Sequence, residues 1–344
     1  MRTLRILLFL LICVPYISLS ASSRLVTLDK YIIPVNVKGA IIGKVVIEGN
    51  DKVTLEKDTS KLFLIDQSGY IKLKPTVALS ASSPIKYEII LKTGSGNKAF
   101  ELVKDEFIHN KVIAHRGAWK NHEASQNSLS SLRKAIELGC EAAEFDVWLS
   151  SDNKVVLSHD PTIGGKTVED TPAKTLMEIP LKNGDFVPSL EEYLGCIKHQ
   201  NKTRLVLELK GSQKGKDRSL ALADSAVQLV HRYKAQAWVD YISFDYEALL
   251  RVKELDPTAV ISYLETNKTL EELSADRVDG IDYHYSAFYN DEKLTDKAKK
   301  LGLTTNVWTV NTEEQMQYLL QQGVDYITTD EPELLLKFIE THYK

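Results

Sequence analysis

Four short stretches of the sequence carry groups able to move protons, bind an anion or hold a cation: VIAHRG (112–117), EFDVW (144–148), VVLSHD (155–160) and LVLELK (205–210). An imidazole at the end of an apolar run exchanges protons near neutrality. A guanidinium beside it clamps an anion through its planar fork, and a glycine after that lets the chain turn tightly beside a ligand. His115, Arg116 and Gly117 are such a set. In a strand, alternate side chains share a face. Glu144, Asp146 and Trp148 therefore lie together, opposite Phe145 and Val147, while Glu208 and Lys210 lie opposite Leu205, Leu207 and Leu209. The apolar set must meet covering helices, so the carboxylates point the other way. Two carboxylates two residues apart, with a third from a neighbouring strand, can supply oxygen ligands to Mg²⁺ or Ca²⁺. The sequence has no cysteine cluster, which argues against structural zinc. An E-x-D pair by itself is as readily a solvated rim or an ion pair. Its company shifts the reading, because His115, His159 with Asp160, and Glu208 with Lys210 also close strand-like runs, and titratable groups gathered at one end of successive strands indicate catalysis.

Such residues need a frame. From Lys111 onward, strand-like runs alternate with amphipathic stretches. The expected strands are KVIAHRG, AAEFDVWLS, RLVLELKG, VDYISFDY, AVISYLET, GIDYHYS, LTTNVWTVN and VDYITTD. Helical stretches such as SLSSLRKAIELG, LALADSAVQLVHRYK and EEQMQYLLQQG separate them, and several end on a glycine that leads into the next strand, as at Gly139, Gly302 and Gly323. About eight such units imply an α/β fold closed into a (β/α)8 TIM barrel. An open doubly wound sheet is the alternative, although no Gly-rich dinucleotide turn follows any strand. One connection, PTIGGKTVEDTPAKTLMEIPLKNGDFVPSL, is long enough to be functional and leaves the expected active face.

Residues 22–108 read differently. Short runs rich in Val, Ile, Tyr and Phe, bounded by Gly, Asn, Asp or Ser, predict a small all-β sandwich. Before it, MRTLRILLFLLICVPYISLSASS has the charged, apolar and small-residue order of a signal peptide, assigned to residues 1–21. An exported protein, periplasmic or extracellular at the cell surface, is the expectation; an uncleaved anchor is the alternative. The barrel is assigned to residues 109–344 of the 344-residue chain. Net charge is −4 with both signs mixed, so no nucleic-acid face is expected. Beyond the signal only Cys140 and Cys196 remain, read as buried thiols rather than a disulfide framework.

Taken in order, AHRG, EFDVWLSSDNKVVLSHD, LVLELK, SFD, NVWTVN and VDYITTD resemble the glycerophosphodiester phosphodiesterase family from about residue 112 to the C-terminus. The resemblance implies a metal-dependent barrel hydrolase that splits glycerophosphodiesters into sn-glycerol 3-phosphate and an alcohol. It implies one divalent cation, Mg²⁺ or Ca²⁺, on Glu144, Asp146 and Glu208, and catalysis by His115 and His159. Arg116 and Lys210 match phosphate contacts, and Asn127 matches the asparagine of the family's P-E-N-T motif, where SQNS places neutral Gln126 instead of the glutamate. Glu123 could fold back to replace that charge. Trp308 is expected to wall the substrate pocket, with His284 a further candidate contact, whereas Asp330 is read as a helix cap. His109, His199, His231 and His342 are expected to face solvent. The stretch LFLIDQSGYIKLKP in the N-terminal domain resembles cadherin-like repeats, lacks their acidic calcium signatures, and suggests an Ig-like accessory domain contacting a glycan or the cell surface. Two other functions fit the same residues: a lysophospholipase D or sphingomyelinase D-like activity, and a non-hydrolytic surface module binding phosphorylated polyols. The second of these would not need a pair of acid–base histidines.

Overall fold

The computed structural model describes residues 25–49 and 52–343, so the expected signal segment lies outside the described residues. Among the described residues no helix is long and apolar enough to cross a membrane. Residues 25–104 build two four-stranded sheets. One runs Val26–Leu28, Ile41–Ile47, Tyr70–Leu73, Phe63–Ile65 in spatial order, the other Ile32–Ile33, Gly96–Lys104, Lys86–Thr93, Thr54–Asp58. Leu28, Ile33, Phe63, Ile71, Leu73, Ile89, Leu91, Phe100 and Leu102 are buried in a shared apolar core, as the two-residue period of these strands requires.

The rest is a closed barrel of eight parallel strands. In chain order they are β1 (Val112–Ala114), β2 (Ala142–Leu149), β3 (Arg204–Leu209), β4 (Val239–Ser243), β5 (Ile261–Tyr263), β6 (Gly280–His284), β7 (Thr304–Trp308) and β8 (Tyr326–Thr329). Each pairs with the next, and β1 pairs with both β2 and β8, which closes the ring. Burial on both faces explains the near-continuous apolar runs. In β2, Ala143, Phe145, Val147 and Leu149 turn outward; the Phe145 ring meets Tyr193 of the helix Leu190–Ile197 at 4.7 Å between centroids. Inside, Ile113, Ala142, Val206, Ile242 and Leu264 pack as one apolar layer.

The strand that delivers His159 is not one of the eight. Val155–Leu157 runs antiparallel to β2, with Val147 opposite Leu157 and Leu149 opposite Val155. The five residues between the two strands are far too few for a parallel crossover. β2 therefore overshoots the barrel rim, and the chain doubles back beside it. The picture of four successive strands ending at one level is corrected accordingly. The long excursion that follows folds on its own small core of Trp148, Val156, Val168, Leu176 and Val187. Buried Glu169 ties it to the segment after β3, accepting from Ser212 Oγ at 2.5 Å and from the Gln213 amide at 3.1 Å. His231, expected to face solvent, instead meets Asp256 at 2.7 Å with only 14% of its side chain exposed.

The sandwich seals the barrel at the opposite end. Its contacts fall just before β3 and β4: Asn201 Nδ2 donates to the Lys104 carbonyl at 2.8 Å, and the rings of Phe107 and Trp238 meet edge-on at 6.5 Å. Lys198 pairs with Glu101 at 3.0 Å. One apolar cluster runs through both parts, and a cleft of about 510 Å³ between them is lined by Tyr31, Asp105, Arg204, Asp240 and Asp256. A chain starting at residue 109 should still fold, because the barrel keeps its own core, and should still carry its rim site. It should melt several degrees lower, since Trp238 and its neighbours lose their cover. Calorimetry beside an activity assay checks this; a folded but inactive truncation would show that the sandwich shapes the rim through the barrel floor.

Candidate active site

Glu144, Asp146 and Glu208 project inward at the C-terminal rim, as alternation in β2 and β3 requires. Asp146 and Glu208 are opposite one another in the parallel register. One carboxylate oxygen from each of the three lies within 4.8 Å of the others, and all three residues are buried. Like charges this close in a low-dielectric site repel strongly. Lys210 answers part of that charge: its Nζ lies 2.6 Å from Glu208 Oε1 and 2.9 Å from Asp146 Oδ1. Arg116 adds Nε at 3.7 Å from Asp146 and donates its backbone amide to Glu144 Oε2 at 2.8 Å.

Burial and neighbouring groups drive two of the acids one way and the third the other. Burial raises the Glu144 carboxyl well above its ordinary value, with the charges of Asp146 and Glu208 adding to it. Glu208 is pushed up to about 8 by burial and by Asp146. For Asp146 burial is outweighed by the charge of Lys210, the Asn127 hydrogen bond and the charges of His159 and Arg116, so it falls below the usual carboxylate range. Glu144 Oε1 has no hydrogen-bond partner although it is buried. Three buried oxygens facing one another, one of them unpartnered, suit a hard divalent cation in both charge and donor type.

Both histidines reach the same cavity, which also receives Arg116, Lys210, Trp308, Phe244, Leu264, Asp282 and Thr328. His115 Nδ1 lies 2.8 Å from Asp330 Oδ1. A carboxylate can only accept, so Nδ1 carries the hydrogen and Nε2 is left toward the cavity, 4.0 Å from Glu144 Oε2. Asp330 is fixed in turn by Asn311, whose Nδ2 donates to Oδ2 at 2.9 Å and whose Oδ1 accepts the Asp330 amide at 2.9 Å. Asp330 is thus a partner of His115, not a helix cap. His159 Nδ1 is held likewise by Asp160 at 2.8 Å, but this pair is far more exposed. Burial lowers the His159 imidazole, helped by the charges of Lys210 and Arg116 and opposed by that of Asp146.

Two expected substrate contacts do other work. Asn127 uses both ends of its amide on Asp146: Nδ2 donates to Oδ2 at 2.9 Å and Oδ1 accepts the Asp146 amide at 3.0 Å. It is absent from the cavity lining, its amide lying against Asp146 instead. His284 turns to its own chain, where Nδ1 accepts from the Ser286 amide and caps the helix Tyr285–Asn290, its ring 5.2 Å from Trp308. Gln126, rather than Glu123, holds the guanidinium: Arg116 Nη1 donates to Gln126 Oε1. Gly117 serves packing more than ligand approach. With φ +77°, a Cβ there would sit 2.4 Å from Ser131 Oγ and 2.8 Å from the Ser131 backbone carbon, so the first helix, Leu129–Leu138, can lie against the turn only if this residue is glycine. Sequence reasoning missed Asp282, Asn306 and Thr328 on the inner wall of β6–β8. Their signal was alternation in GIDYH, TTNVW and YITT, which puts these polar residues on the inner face.

Residues 115–334 match the model of the glycerophosphoryl diester phosphodiesterase family. A glycerophosphodiester phosphodiesterase of Caldanaerobacter subterraneus is 30% identical over 242 residues, 66% of this chain and 97% of that protein. Among solved structures, a glycerophosphodiester phosphodiesterase from Parabacteroides distasonis superposes with a TM-score of 0.67 at 38% identity, covering 69% of this chain and 100% of that one. An Oleispira antarctica phosphodiesterase in complex with the product sn-glycerol-3-phosphate gives 0.59 at 26% identity, covering 67% and 96%.

The acid cluster predicts a pH response of the chelator-treated protein. Glu208 in the folded chain keeps its proton up to about 8, whereas an unfolded glutamate loses it near about 4.3. Between those values the folded state binds more protons, so stability falls as pH rises. Thermal midpoints in EDTA should therefore drop from about pH 5 to about pH 8. The Glu208→Gln variant should flatten the drop, and a midpoint that stays level or rises over this window would show that the folded chain holds no extra proton on these acids.

Proposed function

The chain belongs to the glycerophosphoryl diester phosphodiesterase family and is a phosphodiesterase, and we propose that it hydrolyses glycerophosphodiesters to sn-glycerol 3-phosphate and an alcohol at the β2–β3 rim. The observation that carries this reading is a cluster of three buried carboxylates, two of which line the cavity that both carboxylate-held imidazoles reach. Glu144, Asp146 and Glu208 would hold one divalent cation, Mg²⁺ or Ca²⁺, which when bound offsets their mutual repulsion and polarises a phosphoryl oxygen. Arg116 and Lys210 line the cavity as fixed positive charges and favour a phosphodiester anion there. Arg116 faces a neutral amide on Gln126, so its charge is not cancelled from that side.

Hydrolysis needs one proton removed from the attacking oxygen and one delivered to the departing alkoxide. His115 and His159 both keep Nδ1 on a carboxylate, leaving Nε2 of each for those two transfers. Asp330 and Asp160 act as positioning residues. They fix the tautomer and the orientation of each ring. The apolar side of the cavity, Phe244, Leu264, Ile242 and Trp308, supports a second reading in which a lysophospholipid presents its acyl chain to that wall. Residues 1–21 are proposed as an export signal, which N-terminal sequencing of the mature protein would test.

A panel of glycerophosphodiesters and lysophospholipids, assayed in EDTA and after Mg²⁺ or Ca²⁺ add-back, tests the assignment. Turnover should vanish in EDTA, and the Ala variants of Glu144, Asp146 or Glu208 should lose both turnover and one bound ion by elemental analysis. Each of His115→Ala and His159→Ala should lower kcat at least about a hundredfold on natural substrates. A p-nitrophenyl leaving group should rescue whichever variant lacks the acid. Undiminished turnover after exhaustive chelation, or near-normal kcat in both histidine variants, would overturn the mechanism.

A further inference from the structure

Across the barrel mouth from the carboxylates, the inner wall is polar a second time. β6, β7 and β8 send Asp282, Asn306 and Thr328 inward, where β4 and β5 send Ile242 and Leu264. Asn306 Nδ2 donates to Asp282 Oδ2 at 2.9 Å and lies 2.9 Å from Thr328 Oγ1, while its Oδ1 accepts the Val307 amide at 2.9 Å. Trp308 Nε1 donates to the Asp282 carbonyl at 2.9 Å, so the indole that walls the cavity also pins the backbone of this residue. One oxygen is left over. Asp282 Oδ1 is buried, on a residue only 2% exposed, and has no hydrogen-bond partner.

A buried carboxyl oxygen without a partner is costly, and such groups in native proteins are rare enough to require a reason. Packing does not supply one, because a leucine or valine at this position would extend the apolar layer. The cavity does: Asp282 and Thr328 line the same small space, about 110 Å³, as His115, Glu144 and Glu208. A molecule with its phosphate at the carboxylate end must place its next few atoms against this wall or out in solvent.

We propose that Asp282 is a specificity-determining residue whose Oδ1 hydrogen-bonds a hydroxyl of the substrate's glycerol moiety, an assignment that rests on the glycerophosphodiester reading above. Asn306, held by Thr328 and the Val307 amide, fixes the rotamer so that Oδ1 is presented before substrate arrives. Burial pushes the Asp282 carboxyl up to about 7, so acid and carboxylate forms are both populated near neutrality. An alcohol serves either form, donating to the carboxylate or accepting from the acid, whereas an ammonium group serves only one.

The test uses p-nitrophenyl esters of sn-glycerol 3-phosphate and of the two propanediol phosphates that each lack one glycerol hydroxyl. The full chain should cleave the glycerol ester with a kcat/KM at least about tenfold above one of the two propanediol esters, because a site built to bond a hydroxyl rejects the analogue that lacks it. Asp282→Leu, nearly the same shape, should lower kcat/KM for the glycerol ester by that factor and change it less than about twofold for that propanediol ester. Asp282→Asn keeps the bond to Asn306 and should fall between. Equal rates of the unaltered chain on all three esters would overturn the assignment without any variant having to fold. An equal loss on all three esters in Asp282→Leu, the signature of a merely structural role, would overturn it too. A chain inert on every ester would overturn the glycerophosphodiester reading itself and this assignment with it.

Discussion

Three carboxylates within 4.8 Å of one another, each at most 8% exposed, are the constraint around which the rest of this molecule is arranged. Their repulsion must be met locally, and each neighbouring choice answers it. Lys210 bridges Asp146 and Glu208, the Arg116 amide and guanidinium take opposite flanks, and Asn127 fixes Asp146 from behind. These partners do not complete the balance. Two of the acids are driven toward their protonated forms, and one oxygen of Glu144 stays unbonded. Acids that take up protons where they face one another would give those protons up to a divalent cation, which would also occupy the unbonded oxygen.

Stability comes from elsewhere. The outward faces of the strands pack on helices whose starts are closed by side chains, Ser128, Ser189 and Thr269 each forming a reciprocal capping box. At the far end the sandwich covers the barrel floor, with Phe107 against Trp238 and Asn201 bonded to the Lys104 carbonyl. The apolar cluster runs unbroken from Leu28 in the sandwich to Phe338 in the last helix. The division is spatial: apolar continuity at the closed end, unsatisfied charge at the open one.

Much of this was legible in the sequence because the relevant signal is local. EFDVW and LVLELK alternate with period two, which is enough to place the three acids on one face without knowing what they face. The alternation of strands and helices implies the barrel, and the barrel says where strand ends gather. What was illegible depended on contacts distant in sequence. Asp330 sits just before a helix that starts with Pro332, so a cap was the local reading, yet its partner is His115, 215 residues away. Asn127 in SQNS is expected to contact substrate, and only the fold reveals that it lies behind Asp146. The antiparallel strand Val155–Leu157 could have been inferred, since the connection SSDNK is too short for a crossover. Alternation in GIDYH places Asp282 on the inner face, but no local rule marks an acid whose second oxygen is left without a partner.

The two histidines proposed for proton transfer have unequal supports. His115 follows β1, the strand that closes the ring between β2 and β8. Its own amide bonds the Thr329 carbonyl of β8, and its ring is held by Asp330 and, through it, Asn311. Every support belongs to the barrel frame. His159 hangs from the doubled-back strand beyond the rim, with its side chain 41% exposed and its partner Asp160 73% exposed. Its backbone is tied to the frame where the Ser158 amide meets the Asp146 carbonyl. The cavity is thus bounded by a mostly buried imidazole on one side and a more exposed one on the other. The buried relay holds the His115 ring 4.0 Å from Glu144. The exposed tether leaves His159 on the solvent side of the cavity mouth.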